Sequence, residues 1–134
     1  MTPAIPDKLP LRNSGDILLV RQTVRAKAVE LGFTLVDQTK IITAASELAR
    51  NTVDYGGGGI VAIETLLDGA RKGLRLSFED QGPGIPDLNL AMKDGWTSGN
   101  GLGLGLSGAK RLMSDFSITS KVGEGTKVVI TRWK

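Results

Sequence analysis

The sequence predicts an α+β fold: a two-layer sandwich whose mixed, mostly antiparallel sheet is covered on one face by helices. Three observations lead there. Residues 14–31 and 37–55 carry apolar side chains at helical spacing. Residues 60–67 with 74–80, and 116–122 with 126–133, form two pairs of strand-like runs, each pair enclosing a glycine-containing turn. Such pairs are hairpins, and hairpins make antiparallel sheet. A third helix-like segment follows an alternation of glycine and leucine at 101–106. Helices with one apolar stripe must bury it against the sheet, which gives two layers.

In chain order, "MTPAIPDK" (1–8) reads as a loose start with two prolines, and "LPLR" (9–12) as a short edge strand. From Ser14 the residues Ile17, Val20, Val24, Ala28 and Leu31 fall on one helix face, with Ser14 or Asp16 as the cap and Gly32 as the stop. A second helix starts near Asp37 and runs to about Tyr55 on the stripe Ile41, Ala45, Leu48, Thr52 and Tyr55; "GGGG" (56–59) breaks it. "IVAIETLL" (60–67), a turn at "DGARKG" (68–73) and "LRLSFED" (74–80) make the first hairpin. After Gly105 a helix reaches about Asp115, with Leu104, Gly108 and Leu112 on one face and Phe116 continuing it. "FSITSKV", "GEG" and "TKVVITRW" close the chain as a second hairpin. No repeat or linker divides the 134 residues, so one domain spanning 1–134 is expected.

Composition removes whole classes of chemistry. There is no cysteine and no histidine. Disulfides, Cys or His zinc sites, Ser-His-Asp and Cys-His nucleophile systems and a phosphohistidine intermediate are all excluded. Proton transfer is left to carboxylates, lysines or Tyr55. The net charge of +3 suits a phosphate-bearing ligand or an acidic partner and is too small to argue for nucleic acid. Aromatic residues make up 4%, too few for base-stacking platforms. No apolar run reaches a membrane span, and the N-terminus lacks the shape of a signal peptide. A cytoplasmic protein is the expectation.

Three constellations carry chemistry. In "SELARNTVD" (46–54), Glu47 and Asn51 are four apart and share a helix face distinct from the Leu48 stripe. That face is either a base beside a metal-binding amide, or a solvated face with local pairs such as Arg50 with Asp54. In "FEDQGPGIPD" (78–87), Leu74, Leu76, Phe78 and Asp80 lie on one strand face, so the apolar series ends in a carboxylate aimed at the core side. A half-buried carboxylate needs donors, and Gly82 and Gly84 let the backbone turn close to a ligand. The alternative is an ordinary Asp-x-Gly turn. In "SGNGLGLGLSGAKRLM" (98–113), Gly101, Gly103 and Gly105 precede a helix whose free N–H groups favour phosphate; the alternative is a hinge before a core helix. Lys110 and Arg111 after the loop are either contacts for phosphate or an acidic partner or, the favoured reading, solvated helix charges.

Taken together, "SELARN", "EDQGPGIPD", "GNGLGLGL" and "GEGT" resemble the N, G1 and G2 boxes and terminal Gly-Thr of the GHKL (Bergerat) ATP-binding fold. The match covers residues 37–131. Small size and absence of histidine make the chain most similar to the anti-sigma-type serine/threonine kinases of bacterial partner-switching modules, above all the stressosome switch kinases. The resemblance implies an ATP- and Mg²⁺-dependent protein serine kinase of a stress response. Its substrates would be STAS-domain antagonist and scaffold proteins, and the freed kinase would activate a PP2C-type phosphatase. It implies Glu47 as general base and Asn51 as the Mg²⁺ ligand. Asp80 would accept from the adenine amine. Gly82 and Gly84 would shape the adenine pocket, Gly101, Gly103 and Gly105 the lid and phosphate contacts, and Thr126 would complete the adenine site. Two other readings remain at this point: an anti-sigma factor kinase that sequesters a sigma subunit, and a non-catalytic adaptor with structural nucleotide.

Overall fold

The computed structural model describes residues 7–85, 87, 92 and 105–134. Along the chain run β1 (Asp7–Leu11), α1 (Ser14–Leu31), α2 (Leu35–Asp54), β2 (Gly59–Asp68), β3 (Arg71–Asp80), α3 (Gly105–Leu112), β4 (Asp115–Lys121) and β5 (Gly125–Trp133). The sheet order is β1-β2-β3-β5-β4. Every pairing among the described residues is antiparallel, in line with the mostly antiparallel sheet expected. The cause is connectivity. Two antiparallel helices join β1 to β2 and return the chain to the end it left, and the other sequence neighbours in the sheet are hairpins.

Local chemistry sets the element ends. Asn13, rather than Ser14 or Asp16, caps α1: its side chain accepts from the Asp16 N–H at 3.0 Å. Asp16 is engaged by Arg12 through the backbone N–H at 2.9 Å and Nε at 3.0 Å, which hold its carboxyl below the ordinary carboxylate range. Gly32 ends α1 in the left-handed region, at φ 85°. Thr34 caps α2 by accepting from the Asp37 N–H, so this helix begins two residues before the Asp37 expected from the apolar stripe. α3 stops at Leu112, short of Asp115, because the Ser114 N–H bonds the Thr131 carbonyl and Asp115 already opens β4. Phe116 therefore extends a strand face and not the helix face. The loose start is also shorter than expected, since Asp7 and Lys8 belong to β1.

The core lies between the sheet and the helix layer. Leu74, Leu76 and Phe78 of β3 face it, paired with Ile63 and Val61 of β2 and with Ile130 and Val128 of β5. Val20, Val24 and Ala28 of α1 cover them, with Ile41, Ala45 and Leu48 of α2. Ala44, Ala45 and Ala49 are fully buried, and such short side chains let neighbouring helices approach α2 closely. Leu76 sits at the centre of this packing with no exposed surface. Leu76→Ala is expected to cost about 2–5 kcal/mol, read as a lowered urea midpoint with unchanged slope; an unchanged midpoint would refute the packing.

At the other end of the sheet, Arg132 of β5 donates to Asp37 Oδ1 at 2.9 Å and to the Leu112 carbonyl at 3.0 Å. One side chain thus ties the start of α2 and the end of α3 to the sheet. This fixes the position of α3 against α2, which matters for the site.

Candidate functional site

Asp80 is the last inward position of β3, after Leu74, Leu76 and Phe78, and is 9% exposed. Its Oδ1 accepts from the Gly82 N–H at 2.9 Å and from the Thr126 N–H at 3.3 Å. Thr126 is also its register partner on β5. These donors offset the burial of the carboxylate. Two glycines make the corner possible. A Cβ on Gly56 would collide with the Asp80 carboxyl carbon, and a Cβ on Gly125 with the Asp80 carbonyl oxygen. Gly125 also holds φ 96°, which side chains rarely adopt. Gly125→Ala is expected to combine strain with collision, costing about 1–3 kcal/mol or more. The checkable result is a lower melting temperature together with loss of nucleotide affinity.

Gly82 and Gly84 stand beside the cleft rather than on its lining, and in both cases the constraint on a side chain is another part of the protein. Side chains there would meet the Gly56 backbone and the Lys121 carbonyl respectively. The Gly84 carbonyl accepts from Tyr55 Oη at 3.1 Å, and the Gly123 N–H bonds the Pro83 carbonyl at 2.9 Å. Behind Thr126 stands Ser120 of β4. Its Oγ accepts from the Ile85 N–H at 2.7 Å, lies 2.7 Å from Thr126 Oγ1 and donates to the Gly125 carbonyl at 3.2 Å. Asp80, Thr126, Ser120 and Ile85 thus form one bonded wall.

Glu47 is on α2 and only 7% exposed, so the solvated-face alternative for this residue does not hold. α3 covers it. Its Oε1 accepts from the Gly105 N–H at 3.2 Å, at the first residue of α3, and its Oε2 lies 3.4 Å from Arg50 Nη1. Arg50 therefore turns towards Glu47 on the same helix. A carboxylate at a helix N-terminus is favoured by the local positive field. Asn51, one turn on, is half-buried.

A single cleft joins these groups. It is lined by Asp80, Thr126, Phe78, Tyr55, Asn51 and Gly105, among others, and encloses about 530 Å³ including its mouth. Of the expected residues, Asn51, Asp80, Gly105 and Thr126 line this cleft, and Glu47 and Gly82 bond directly to two of those four. Gly101 and Gly103 lie outside the described residues. Among the described residues no group of three or more carboxylate, histidine or cysteine side chains could hold a metal. Among the described residues lining the cleft, Asn51 alone offers a side-chain amide oxygen.

Sequence reasoning missed Gly56 and Ser120 as site residues, offered Arg50 a partner in Asp54 where the structure gives Glu47, and did not place Tyr55 on the cleft. Ser120 left a trace: it follows Phe116 and Ile118 at a spacing of two, so it shares their face and ends an inward series as Asp80 does. Gly56 was read only as part of a helix-breaking run.

Comparison with known proteins agrees with the geometry. A profile for histidine kinase-, DNA gyrase B- and HSP90-like ATPases matches residues 36–134. The chain is 52% identical over 118 residues to the serine/threonine-protein kinase RsbT of Bacillus subtilis, covering 88% of this chain and 89% of that protein. It is 31% identical to the anti-sigma F factor of Geobacillus kaustophilus, over 84% of this chain and 80% of that one. Among solved structures, the RsbU and RsbW domains of a Mycobacterium tuberculosis protein superpose with a TM-score of 0.66 at 25% identity. That match spans 96% of this chain and 32% of that one. No helix among the described residues is long and apolar enough to cross a membrane. The chain belongs to the family of histidine kinase-, DNA gyrase B- and HSP90-like ATPases, on its branch of partner-switching serine/threonine kinases.

Proposed function

We propose that this chain transfers the γ-phosphate of ATP to a serine of a STAS-domain antagonist or scaffold protein, and that the released kinase then activates a PP2C-type phosphatase. The observation that carries the catalytic part is the single cleft with Asp80 and Thr126 on its wall and Asn51 and the start of α3 on its lining, with Glu47 bonded to that start. A base-recognising carboxylate and a phosphate-compatible helix start therefore share one binding site.

The roles follow from the chemistry of each group. Asp80 has a second carboxylate oxygen able to accept from the exocyclic amine of adenine. At the start of α3 the Gly105 N–H goes to Glu47, and the N–H groups that follow it in the first turn suit phosphate oxygens. Glu47 is an acceptor held at that same helix start, where it takes the proton from the attacking serine hydroxyl. Asn51 fits Mg²⁺, a cation that takes few protein oxygens when phosphates and waters supply the rest. When bound, Mg²⁺ neutralises charge on the phosphates. The remaining contribution of the chain is positioning and charge stabilisation.

Product formation explains release. A phosphate placed in a protein interface adds about two negative charges, which repel and resist desolvation. The test is incubation of the chain with ATP, Mg²⁺ and a STAS-domain antagonist, followed by mapping of phosphoserine. Transfer that disappears on chelation of Mg²⁺ is the expected result; transfer that persists in excess chelator would remove Asn51 from its role. The 31% identity to an anti-sigma factor keeps a second reading in play. Capture of a sigma subunit without binding to the STAS protein would favour it.

A further inference from the structure

We propose that Ser120 is a positioning residue for base recognition: it pins the Thr126 hydroxyl so that it donates to an unprotonated ring nitrogen of the purine. This rests on the adenine reading of the cleft given above. Ser120 does not line that cleft itself. It acts through Thr126.

Proton bookkeeping carries the argument. Ser120 Oγ already accepts from the Ile85 N–H at 2.7 Å. It has one proton to give and two neighbours able to accept it, Thr126 Oγ1 at 2.7 Å and the Gly125 carbonyl at 3.2 Å. With no ligand, the largest number of bonds is made when Thr126 donates to Ser120 and Ser120 to Gly125. A ligand presenting an acceptor reverses both hydroxyls: Ser120 donates to Thr126, and Thr126 donates to the ligand. The reversal gives up only the longest of the bonds, that to Gly125. It also leaves the new donor polarised by the one behind it.

The bond to Ser120 does a second thing. A threonine side chain chooses among staggered χ1 positions that exchange its hydroxyl and methyl. The 2.7 Å contact selects the one that puts Oγ1 on the Ser120 side of the wall. Beside it Asp80, held by Gly82 and Thr126 N–H groups, presents only acceptors. The wall therefore offers one acceptor and one donor next to each other. That pattern matches the amine and ring nitrogen of adenine. Guanine offers a carbonyl and a ring N–H there and meets the reverse pattern.

The test is calorimetric binding of ATP, GTP and 1-deaza-ATP, in which the ring nitrogen is replaced by C–H, to the intact chain. Wild type is expected to prefer ATP over 1-deaza-ATP by roughly fivefold, the value of one hydrogen bond. Ser120→Ala is expected to bring that ratio close to one, while both proteins reject GTP through Asp80. Ser120→Thr, which keeps the hydroxyl, is expected to restore the preference. If Ser120→Ala does not fold, Ser120→Cys, a much weaker donor of similar size, takes its place. A merely structural role for Ser120 would weaken both adenine nucleotides equally and leave the ratio intact, which would overturn the assignment. Wild type that prefers ATP to GTP but treats ATP and 1-deaza-ATP alike also overturns it and leaves the adenine reading standing. Wild type that binds neither adenine nucleotide overturns both.

Discussion

Glu47→Gln is expected to cut phosphoryl transfer steeply and to leave ATP binding in place. The substitution keeps size and shape and removes the charge and with it the ability to take a proton. An amide oxygen can still accept from the Gly105 N–H, so the contact between α2 and α3 survives. What Arg50 loses is a partner at 3.4 Å, and its own side chain is 48% exposed, so water replaces it at little cost. A positioned general base contributes about 10²- to 10⁴-fold to rate. Single-turnover transfer to the STAS-domain substrate should fall by that much, while calorimetric affinity for ATP stays within a few fold. A variant that transfers at more than a tenth of the wild-type rate would end the assignment of Glu47 as base. It would also reopen the adaptor reading, in which the nucleotide is structural.

Asp80→Asn has its effect on the other side of that split. Oδ1 accepts two backbone N–H groups, and an asparagine placed with its oxygen there preserves both. The amide nitrogen must then occupy the position of Oδ2 and present hydrogens to the hydrogens of the adenine amine. The charged acceptor is lost, and a donor faces a donor. Hydrogen bonds to charged groups are worth about 1.5–3 kcal/mol, or roughly 10- to 150-fold in affinity. The melting temperature of the unliganded protein should change little by comparison, because the same N–H groups remain satisfied. ATP affinity equal to wild type would refute the adenine role.

Much of the site was readable because the relevant signal is local. The alternation Leu74, Leu76, Phe78, Asp80 places the carboxylate on the core face by the two-residue period alone, and the structure agrees. Helix stops at glycine and hairpins at Gly69 and Gly123 follow from the same short-range chemistry. What could not be read depends on partners distant in sequence. Glu47 lies about 100° round the helix from Leu48, off the apolar stripe, which suggests solvent; it is buried because Gly105, 58 residues later, brings α3 over it. The run of Ala44, Ala45 and Ala49 was a usable hint that α2 is packed on more than one side. Gly56 and Ser120 are equally non-local, since each is explained by a residue on another strand or loop. Asn13 rather than Ser14 is the cap, one position earlier than expected.

The wall around Asp80 exists only in the folded chain, since its donors come from β5 and from the turn after β3. Unfolded chains have no such site, so nucleotide stabilises the native state by mass action. At a hundred times the dissociation constant the gain is about 2.7 kcal/mol. Susceptibility to proteolysis through global unfolding would fall by about a hundredfold over that range, so nucleotide supply would set the lifetime of this protein as well as its activity.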